Sequence, residues 1–273
     1  MVADRVRDML ARMRRAGRRA DGAWVITGAA SGFGREVARR LSERGESLAL
    51  WDRDRAGLEE TRAQIRAGRV HLEEVDVTDP EALVGARQRS EEALGAIAHV
   101  FHSAGVLAVG PADEVPPDAY RRMLEVNVLG TVHVTQALLP SLRRAGATGR
   151  ATLTLVASVA GLRGFPQLAG YSASKFAVVG FAQALSDELT GSGVAVKVLC
   201  PPPGDTPMVR ALPELPPVYK LSPMFSAAEI VEAWLREVER PGLYALVDVR
   251  SKALWRVARF APRLVDLIVR NAR

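Results

Sequence analysis

Residues 24–34 read W-V-I-T-G-A-A-S-G-F-G, and this stretch decides the fold. Its apolar first half predicts a strand that is covered on both faces, as in a parallel sheet. Gly28, Gly32 and Gly34 then predict a turn without Cβ atoms, followed by a helix from Arg35 to Arg44. In such a turn the backbone can approach a pyrophosphate at the positive N-terminus of the helix. The stretch therefore predicts a nucleotide-binding strand, turn and helix.

A second strand is predicted over 47–51 and ends at Asp52. Asp52 follows Gly34 by the interval at which an acidic side chain accepts hydrogen bonds from the adenosine ribose hydroxyls. The same carboxylate repels a 2′-phosphate, which favours NAD over NADP. Arg53 and Arg55 leave NADP open, because a neighbouring guanidinium can bind that phosphate.

Strands and helices alternate through the rest of the chain. Pro80 is expected to start a helix that runs to about Leu94. This alternation indicates βαβ units and a parallel sheet. The predicted fold class is α/β, a Rossmann-type doubly wound sheet of about seven strands in a single domain. The further strands are predicted over 70–75, 97–102, 151–157, 194–199 and 243–249.

Two segments between these strands need their own explanation. A long helix is predicted over 118–144, and it contains Asn127, which is a poor helix former. Prolines recur among apolar residues from 207 to about 225, which predicts a long irregular lid. Ser226 and Glu229 then form a capping box that opens the next helix.

Composition places the chain among ordinary globular proteins, with 273 residues of which 48% are hydrophobic and 25% charged. The one cysteine, Cys200, excludes an internal disulfide and favours a reducing compartment. Since no apolar run is long enough to span a membrane, the expected location is cytoplasmic.

The net charge of +6 lies in two arginine-rich tails, residues 1–20 and 251–273, and the body over 21–250 is acidic. We therefore expect no nucleic-acid partner. Both tails space their apolar residues as amphipathic helices. They either make a peripheral contact with an anionic membrane or pack on the body or a neighbouring subunit.

One helix is predicted to carry Tyr171-Ser-Ala-Ser-Lys175 and to continue to about Leu189. The spacing i, i+4 puts the phenol and the ammonium on one face, one turn apart. Ser158 precedes this helix at the end of the fifth strand. These three side chains are the candidate reactive groups.

Together these motifs resemble the short-chain dehydrogenase/reductase family over most of residues 22–250. The residues that carry the resemblance are Thr27–Gly34, Asp52, Asp76, Asn127, Ser158 and Tyr171–Lys175. The resemblance implies that Tyr171 exchanges a proton with the substrate oxygen while the nicotinamide C4 gives or takes a hydride. Lys175 would stabilise the phenolate, because a phenol with a pKa near 10 is a poor base at neutral pH. Ser158 would orient the substrate oxygen, and Asn127 would support a water relay behind Lys175.

The resemblance also implies a site for NAD, with NADP as an open alternative. Asp52 would bind the adenosine ribose, Asp76 the adenine amino group and Thr206 the nicotinamide carboxamide. The other expected cofactor contacts are Gly28, Ser31, Gly32, Phe33, Gly34, Arg53, Val77, Ala104, Gly105, Tyr171 and Lys175. We expect no metal site.

Two departures from the family pattern stand out. Where the family has Asn-Asn-Ala-Gly, this chain has His102-Ser103-Ala104-Gly105, so His102 either fills the space of the missing Asn or acts as a catalytic imidazole. Pro201-Pro202-Pro203-Gly204 replaces the usual Pro-Gly and is expected to stiffen the loop under the nicotinamide.

Shorter likenesses bear on the substrate. Leu50–Glu60 and Phe176–Phe181 are similar to the steroid, retinol and lipid-droplet dehydrogenases of the family. The Pro-Pro segment before Asp205-Thr206-Pro207 is similar to 3-ketosphinganine reductases, which generally use NADPH. Apolar side chains near Tyr171 and in the lid favour an apolar ligand. They are Leu162, Phe165, Leu168, Met208, Val209, Leu212, Leu215, Val218 and Tyr219.

The sequence therefore predicts a homodimeric or homotetrameric oxidoreductase. It would transfer a hydride between NAD(H) and an apolar secondary alcohol or ketone that is steroid-, retinoid- or lipid-like, or another hydrophobic carbonyl compound. One alternative is an NADPH-dependent 3-ketolipid reductase. Another is a catalytically silent dinucleotide-binding sensor or scaffold, supported only by the altered His102-Ser103 and Pro202.

Overall fold

Seven strands form one parallel sheet in the computed structural model, which describes residues 18–66, 68–216, 219, 223–261 and 263. The nine strands of the described residues are β1 (Ala23–Thr27), β2 (Leu48–Asp52), β3 (Val70–Glu74), β4 (Ile97–His102), β5 (Ala151–Val156), β6 (Val194–Leu199), β7 (Gly204–Asp205), β8 (Phe225–Ser226) and β9 (Tyr244–Ala245). The order across the large sheet is β3-β2-β1-β4-β5-β6-β9, and β7 pairs with β8 alone. This confirms the predicted doubly wound sheet. Its order reverses between β1 and β4, where such sheets bind ligands at their carboxyl ends.

Helices cover both faces of the sheet. They are α1 (Gly32–Ser42), α2 (Arg55–Gln64), α3 (Pro80–Leu94), α4 (Pro117–Met123), α5 (Gly130–Gly146), α6 (Ala169–Glu188), α7 (Pro207–Arg210), α8 (Ala227–Glu237) and α9 (Val249–Phe260). The predicted capping box is present, with the Ser226 Oγ accepting from the Glu229 backbone N–H at 3.2 Å. Side-chain caps of this kind satisfy backbone groups that the first helical turn leaves unpaired.

Apolar side chains fill the space on each side of the sheet, as the runs in the strands predict. Val25 belongs to one apolar cluster, and its neighbours Trp24 and Ile26 belong to the cluster on the other face. Phe101 of β4 packs edge-on against Trp234 of α8, with ring centroids 4.7 Å apart and both side chains fully buried. Each such side chain contributes about 1.5–3 kcal/mol of hydrophobic stabilisation.

The structure differs from the sequence prediction in four elements. The lid predicted as irregular over 207 to about 225 begins with the short helix α7 and ends at β8. The helix predicted over 118–144 is interrupted by a π-helical turn at Leu124–Leu129 that joins α4 to α5. The strand predicted over 243–249 is limited to β9, because the Asp248 side chain accepts backbone N–H bonds at the start of α9. Helix α1 begins at Gly32 rather than at Arg35, so the last two glycines of the turn belong to its first turn.

The two predicted basic tails are described only in part. Residues 1–17 and 264–273 lie outside the described residues, and with them the first predicted amphipathic stretch and the later half of the second. Arg19 forms a parallel bridge with Arg150, which ties the chain before β1 to the start of β5. No helix among the described residues is long and apolar enough to cross a membrane.

Candidate active site

A cavity of about 750 Å³ opens at the carboxyl ends of β1, β4, β5 and β6. All but one of the predicted site residues border it. They are Gly28, Ser31, Gly32, Phe33, Gly34, Asp52, Arg53, Asp76, Val77, Ala104, Gly105, Ser158, Tyr171, Lys175 and Thr206. The exception is Asn127, which lies behind the cavity wall.

The three candidate reactive groups converge because β5 and α6 meet at this end of the sheet. The Lys175 Nζ donates to the Val156 carbonyl at 2.9 Å and lies 5.7 Å from the centre of the Tyr171 ring. Ser158 lies two residues after the end of β5, and its Oγ accepts the Ala160 N–H at 3.1 Å at the start of a 3₁₀ turn. The i, i+4 spacing thus places phenol and ammonium together, as predicted.

Burial sets the protonation of these groups. It raises the pKa of Tyr171 well above its usual value, the nearby Tyr219 raises that pKa further, and a hydrogen bond with Ser158 opposes the rise. Burial also lowers the pKa of Lys175 to about 8. At neutral pH the Tyr171 phenol is therefore protonated, and Lys175 is mainly in its charged ammonium form.

Asn127 sits in the π-helical turn and holds the loop that follows β4. Its Oδ1 accepts the Val106 N–H at 2.8 Å, and its Nδ2 donates to the Val106 carbonyl at 2.9 Å and to the Ser174 Oγ at 3.0 Å. A Cβ atom on Gly105 would lie 3.1 Å from the Asn127 Oδ1 and 3.6 Å from the Lys175 Nζ. Its hydrogen bonds to the loop beside Lys175 thus explain why Asn127, a poor helix former, occurs within this helical segment.

His102 is buried and joins β1 to α5 through both ring nitrogens. Nδ1 lies 2.7 Å from the Thr27 Oγ1, and Nε2 lies 3.0 Å from the Thr131 Oγ1. Burial and then the charge of Lys175 lower the pKa of His102 to about 3, so the ring is neutral. The ring does not border the cavity. Of the two roles predicted for His102, this favours filling the space of the missing Asn over acting as a catalytic imidazole.

Acidic and basic side chains meet where β2 and β3 end. The Asp52 Oδ2 accepts the Ala30 N–H at 3.0 Å, so its carboxylate is fixed against the glycine turn. Arg53 and Arg122 pair with Asp76, with guanidinium nitrogens 4.0 and 3.6 Å from the Asp76 Oδ2. Partial burial raises the pKa of Asp76, but hydrogen bonds from Thr78 and the charges of these arginines hold it below its usual value.

The glycine turn fits a dinucleotide. Gly28 has a φ of +68° and Gly32 a φ of +52°, which side-chain-bearing residues rarely adopt. A Cβ atom on Gly28 would lie 2.8 Å from the Ala104 N atom. Gly28 therefore lets the turn lie against the loop after β4, and Gly32 and Gly34 border the cavity at the start of α1, where a pyrophosphate would bind. A nicotinamide dinucleotide bound there would supply or accept the hydride.

Apolar side chains form the remaining walls, though not all of those predicted. Phe165, Leu168, Met208, Val209 and Tyr219 border the cavity, as do Pro201, Pro202 and Pro203. Leu162, Leu212 and Leu215 do not border it; Leu162 packs against the core instead. Val218 lies outside the described residues.

Helix α9 forms a wall that the sequence interpretation missed. Arg250, Ser251, Ala253, Leu254 and Val257 all border the cavity. Their spacing of three and four residues indicates one helix face, but it does not show what that face packs against. The sequence predicts a tail here because arginines dominate that part of the chain.

Comparison with known proteins agrees with this geometry. A family model described as short chain dehydrogenase matches residues 23–215. The chain is 36% identical over 200 residues to a 2-dehydro-3-deoxy-L-rhamnonate dehydrogenase (NAD(+)) from Sphingomonas sp. strain SKA58, covering 73% of this chain and 78% of the relative. It is 31% identical over 259 residues to estradiol 17-beta-dehydrogenase 11 of Rattus norvegicus, covering 90% and 82%.

Solved structures agree as well. A short chain dehydrogenase/reductase from Burkholderia phymatum in complex with NAD gives a TM-score of 0.78 at 26% identity, covering 90% of this chain and 96% of that one. Structures of this fold hold NAD, NADH or NADP. With the glycine turn and the Ser158, Tyr171 and Lys175 cluster in place, the chain belongs to the short-chain dehydrogenase/reductase family and is an NAD(P)-dependent oxidoreductase.

Proposed function

We propose that this enzyme transfers a hydride between NAD(H) and an apolar secondary alcohol or ketone that is steroid-, retinoid- or lipid-like. The observation that carries the proposal is the cavity beside Tyr171, whose further walls are mainly apolar. An apolar cavity with a few convergent polar groups suits an apolar ligand with one reacting oxygen. The similarity to an estradiol dehydrogenase supports this substrate class.

In this proposal each reactive side chain has a separate task. Tyr171 gives a proton to the substrate oxygen or takes one from it. Lys175 stabilises the phenolate by its charge, Ser158 holds the substrate oxygen, and Asn127 keeps the loop beside Lys175 in place. The raised pKa of Tyr171 supports ketone reduction at neutral pH, because a protonated phenol can donate at once.

The charges near the end of β2 support NAD rather than NADP. The Asp52 carboxylate borders the cavity where ribose hydroxyls would bind and repels a 2′-phosphate. Arg53 is drawn towards Asp76, 4.0 Å away. The alternative, an NADPH-dependent 3-ketolipid reductase, needs Arg53 to leave Asp76 and approach that phosphate.

A homodimer or homotetramer is supported by the outer face of α6. Ala173, Phe176, Ala177, Gly180 and Ala184 are exposed there, while the opposite face is buried in the core. A helix that is apolar on all sides is normally covered on all sides. We propose that a second copy covers this face. The cytoplasmic location and the membrane contact of the tails stay predictions.

The deciding experiment measures binding and turnover together. NADH and NADPH are titrated calorimetrically into the wild type and Tyr171→Phe, and both proteins are assayed with a panel of apolar secondary alcohols and ketones. Turnover in the wild type and none in Tyr171→Phe, with equal NADH binding, supports the proposal. NADH binding without turnover in the wild type favours the silent sensor, and tighter NADPH binding favours the 3-ketolipid reductase.

A further inference from the structure

Helix α9 presents one continuous face to the cavity. Arg250, Leu254 and Val257 border it and follow each other at i, i+4 and i+7. Seven residues of helix rise about 10 Å. The face therefore runs from a guanidinium at one end to an aliphatic side chain about 10 Å away.

This face is anchored in the domain. Asp248 caps the helix by accepting the N–H groups of Arg250 and Ser251 at 2.9 and 3.1 Å. The Trp255 ring packs on Tyr244 of β9, with centroids 5.2 Å apart, and the Lys252 Nζ lies 3.2 Å from Glu237. The wall is therefore held against the sheet edge by contacts on its other sides.

Charge is distributed unevenly around the cavity. Asp52, Arg53, Asp54, Asp76 and Arg122 lie at the adenosine end, and Lys175 belongs to the reactive group. Among the described residues that border the cavity, Arg250 is the remaining charged side chain. Its side chain is exposed at the border of the cavity, and Leu254 and Val257, which follow it on the same face of α9, are apolar. A cation next to an apolar wall is suited to one anionic group on an apolar ligand.

We propose that the substrate is an amphiphilic anion, an apolar alcohol or ketone whose acidic group is bound by Arg250 and whose apolar part lies along Leu254 and Val257. The redox reaction itself rests on the proposed function above. A guanidinium has five N–H donors, so contacts within the protein leave capacity for a carboxylate or a phosphate.

The test measures binding to the NADH-loaded protein, so it does not depend on turnover. Dodecanoate, methyl dodecanoate and dodecyl phosphate are titrated calorimetrically below their aggregation limits. The proteins are the wild type, Arg250→Gln, Arg250→Lys and the matched control Arg256→Gln, whose residue is exposed on the same helix and does not border the cavity.

We expect an anion to bind the wild type at least about 10-fold more tightly than the ester, the factor of one charge-assisted hydrogen bond. Arg250→Gln should abolish this preference, Arg250→Lys should keep part of it, and Arg256→Gln should keep all of it. Preference for dodecanoate or for dodecyl phosphate identifies the acidic group. Equal binding of ester and anions, or an unchanged preference in Arg250→Gln, overturns the proposal. If the enzyme turns over no alcohol yet shows the Arg250-dependent preference, the proposed reaction fails and this binding site stands.

Discussion

The Nδ1 atom of His102 lies 2.7 Å from the Oγ1 atom of Thr27, and the bonds around this pair determine which ring nitrogen carries the proton. The Thr131 hydroxyl donates to the Asn127 carbonyl at 2.7 Å, so it must accept from His102 Nε2–H. Thr27 then donates to Nδ1. A directed chain of hydrogen bonds therefore runs from the strand before the glycine turn to the π-helical turn.

The first prediction concerns this tautomer. We expect His102 to stay neutral with its proton on Nε2 between pH 5 and 8, because its pKa is lowered to about 3. Two-dimensional ¹⁵N NMR of the labelled imidazole rings checks it, with His102→Asn assigning the signal. A ring that titrates near pH 6.5, or an Nδ1–H tautomer, contradicts the hydrogen-bond chain.

The second prediction concerns stability in acid. Because the pKa of His102 falls from 6.5 to about 3 on folding, only the unfolded state takes up its proton between these values. Stability is therefore lost as pH falls from 6.5 towards 3, by up to about 1.4 kcal/mol per pH unit from this group. Urea unfolding at several pH values should show a shallower slope in His102→Asn than in the wild type. Parallel slopes would mean that the buried ring takes up a proton as easily as the unfolded one.

The third prediction concerns proton transfer. Tyr171→Phe keeps the ring and removes the hydroxyl, so turnover should fall about 10²–10⁴-fold, the usual range for general acid–base catalysis. NADH affinity should change little. Steady-state rates and calorimetry measure the two effects, and a variant that keeps more than a tenth of the activity would assign the proton to another group.

The fourth prediction concerns cofactor choice. Asp52→Asn keeps an acceptor for the Ala30 N–H and removes the negative charge. We expect roughly 10-fold or weaker NADH binding, from the loss of charge-assisted hydrogen bonds to the ribose, and tighter NADPH binding. Asp118→Asn serves as the matched control, because Asp118 is exposed and does not border the cavity. Unchanged NADPH affinity in Asp52→Asn would remove the argument for NAD.

The fifth prediction concerns assembly. Phe176 is 45% exposed on α6 and Val84 is 42% exposed on α3. Phe176→Glu should dissociate the oligomer, since an unpaired charge buried in an apolar interface is costly. Val84→Glu should leave it intact. Light scattering after size exclusion gives the molar mass of each variant. Equal masses for the two variants would mean that the oligomer interface does not include Phe176.

Local sequence signals were sufficient for the sheet and for most of the cavity lining. β4 has its predicted bounds. α3 also has its predicted bounds, because Pro80 and the Asp79 cap define the start of the helix. The glycine turn and the Tyr171–Lys175 pair follow from spacing in one strand or helix. These features depend on neighbours in sequence, so the sequence displays them directly.

Features that depend on distant contacts could not be predicted. The π-helical turn around Asn127 is held by bonds to Val106 and Ser174, which are remote in sequence. The position of α9 depends on Tyr244 and Glu237, and an arginine-rich helix has the same pattern whether it lies in solvent or against a wall. The short β9 has a different, local cause, since the Asp248 cap starts α9 where apolar residues suggest a strand.

The place of α9 in the chain has a consequence for biosynthesis. The segments that form the dinucleotide cleft, from β1 to the start of α7, are made before α9. A nascent chain can therefore bind its dinucleotide while the substrate side is still open, and this binding stabilises the partly made sheet by mass action. Docking of α9 then completes the cavity, so the wall on the substrate side is the last part of the cavity to be made.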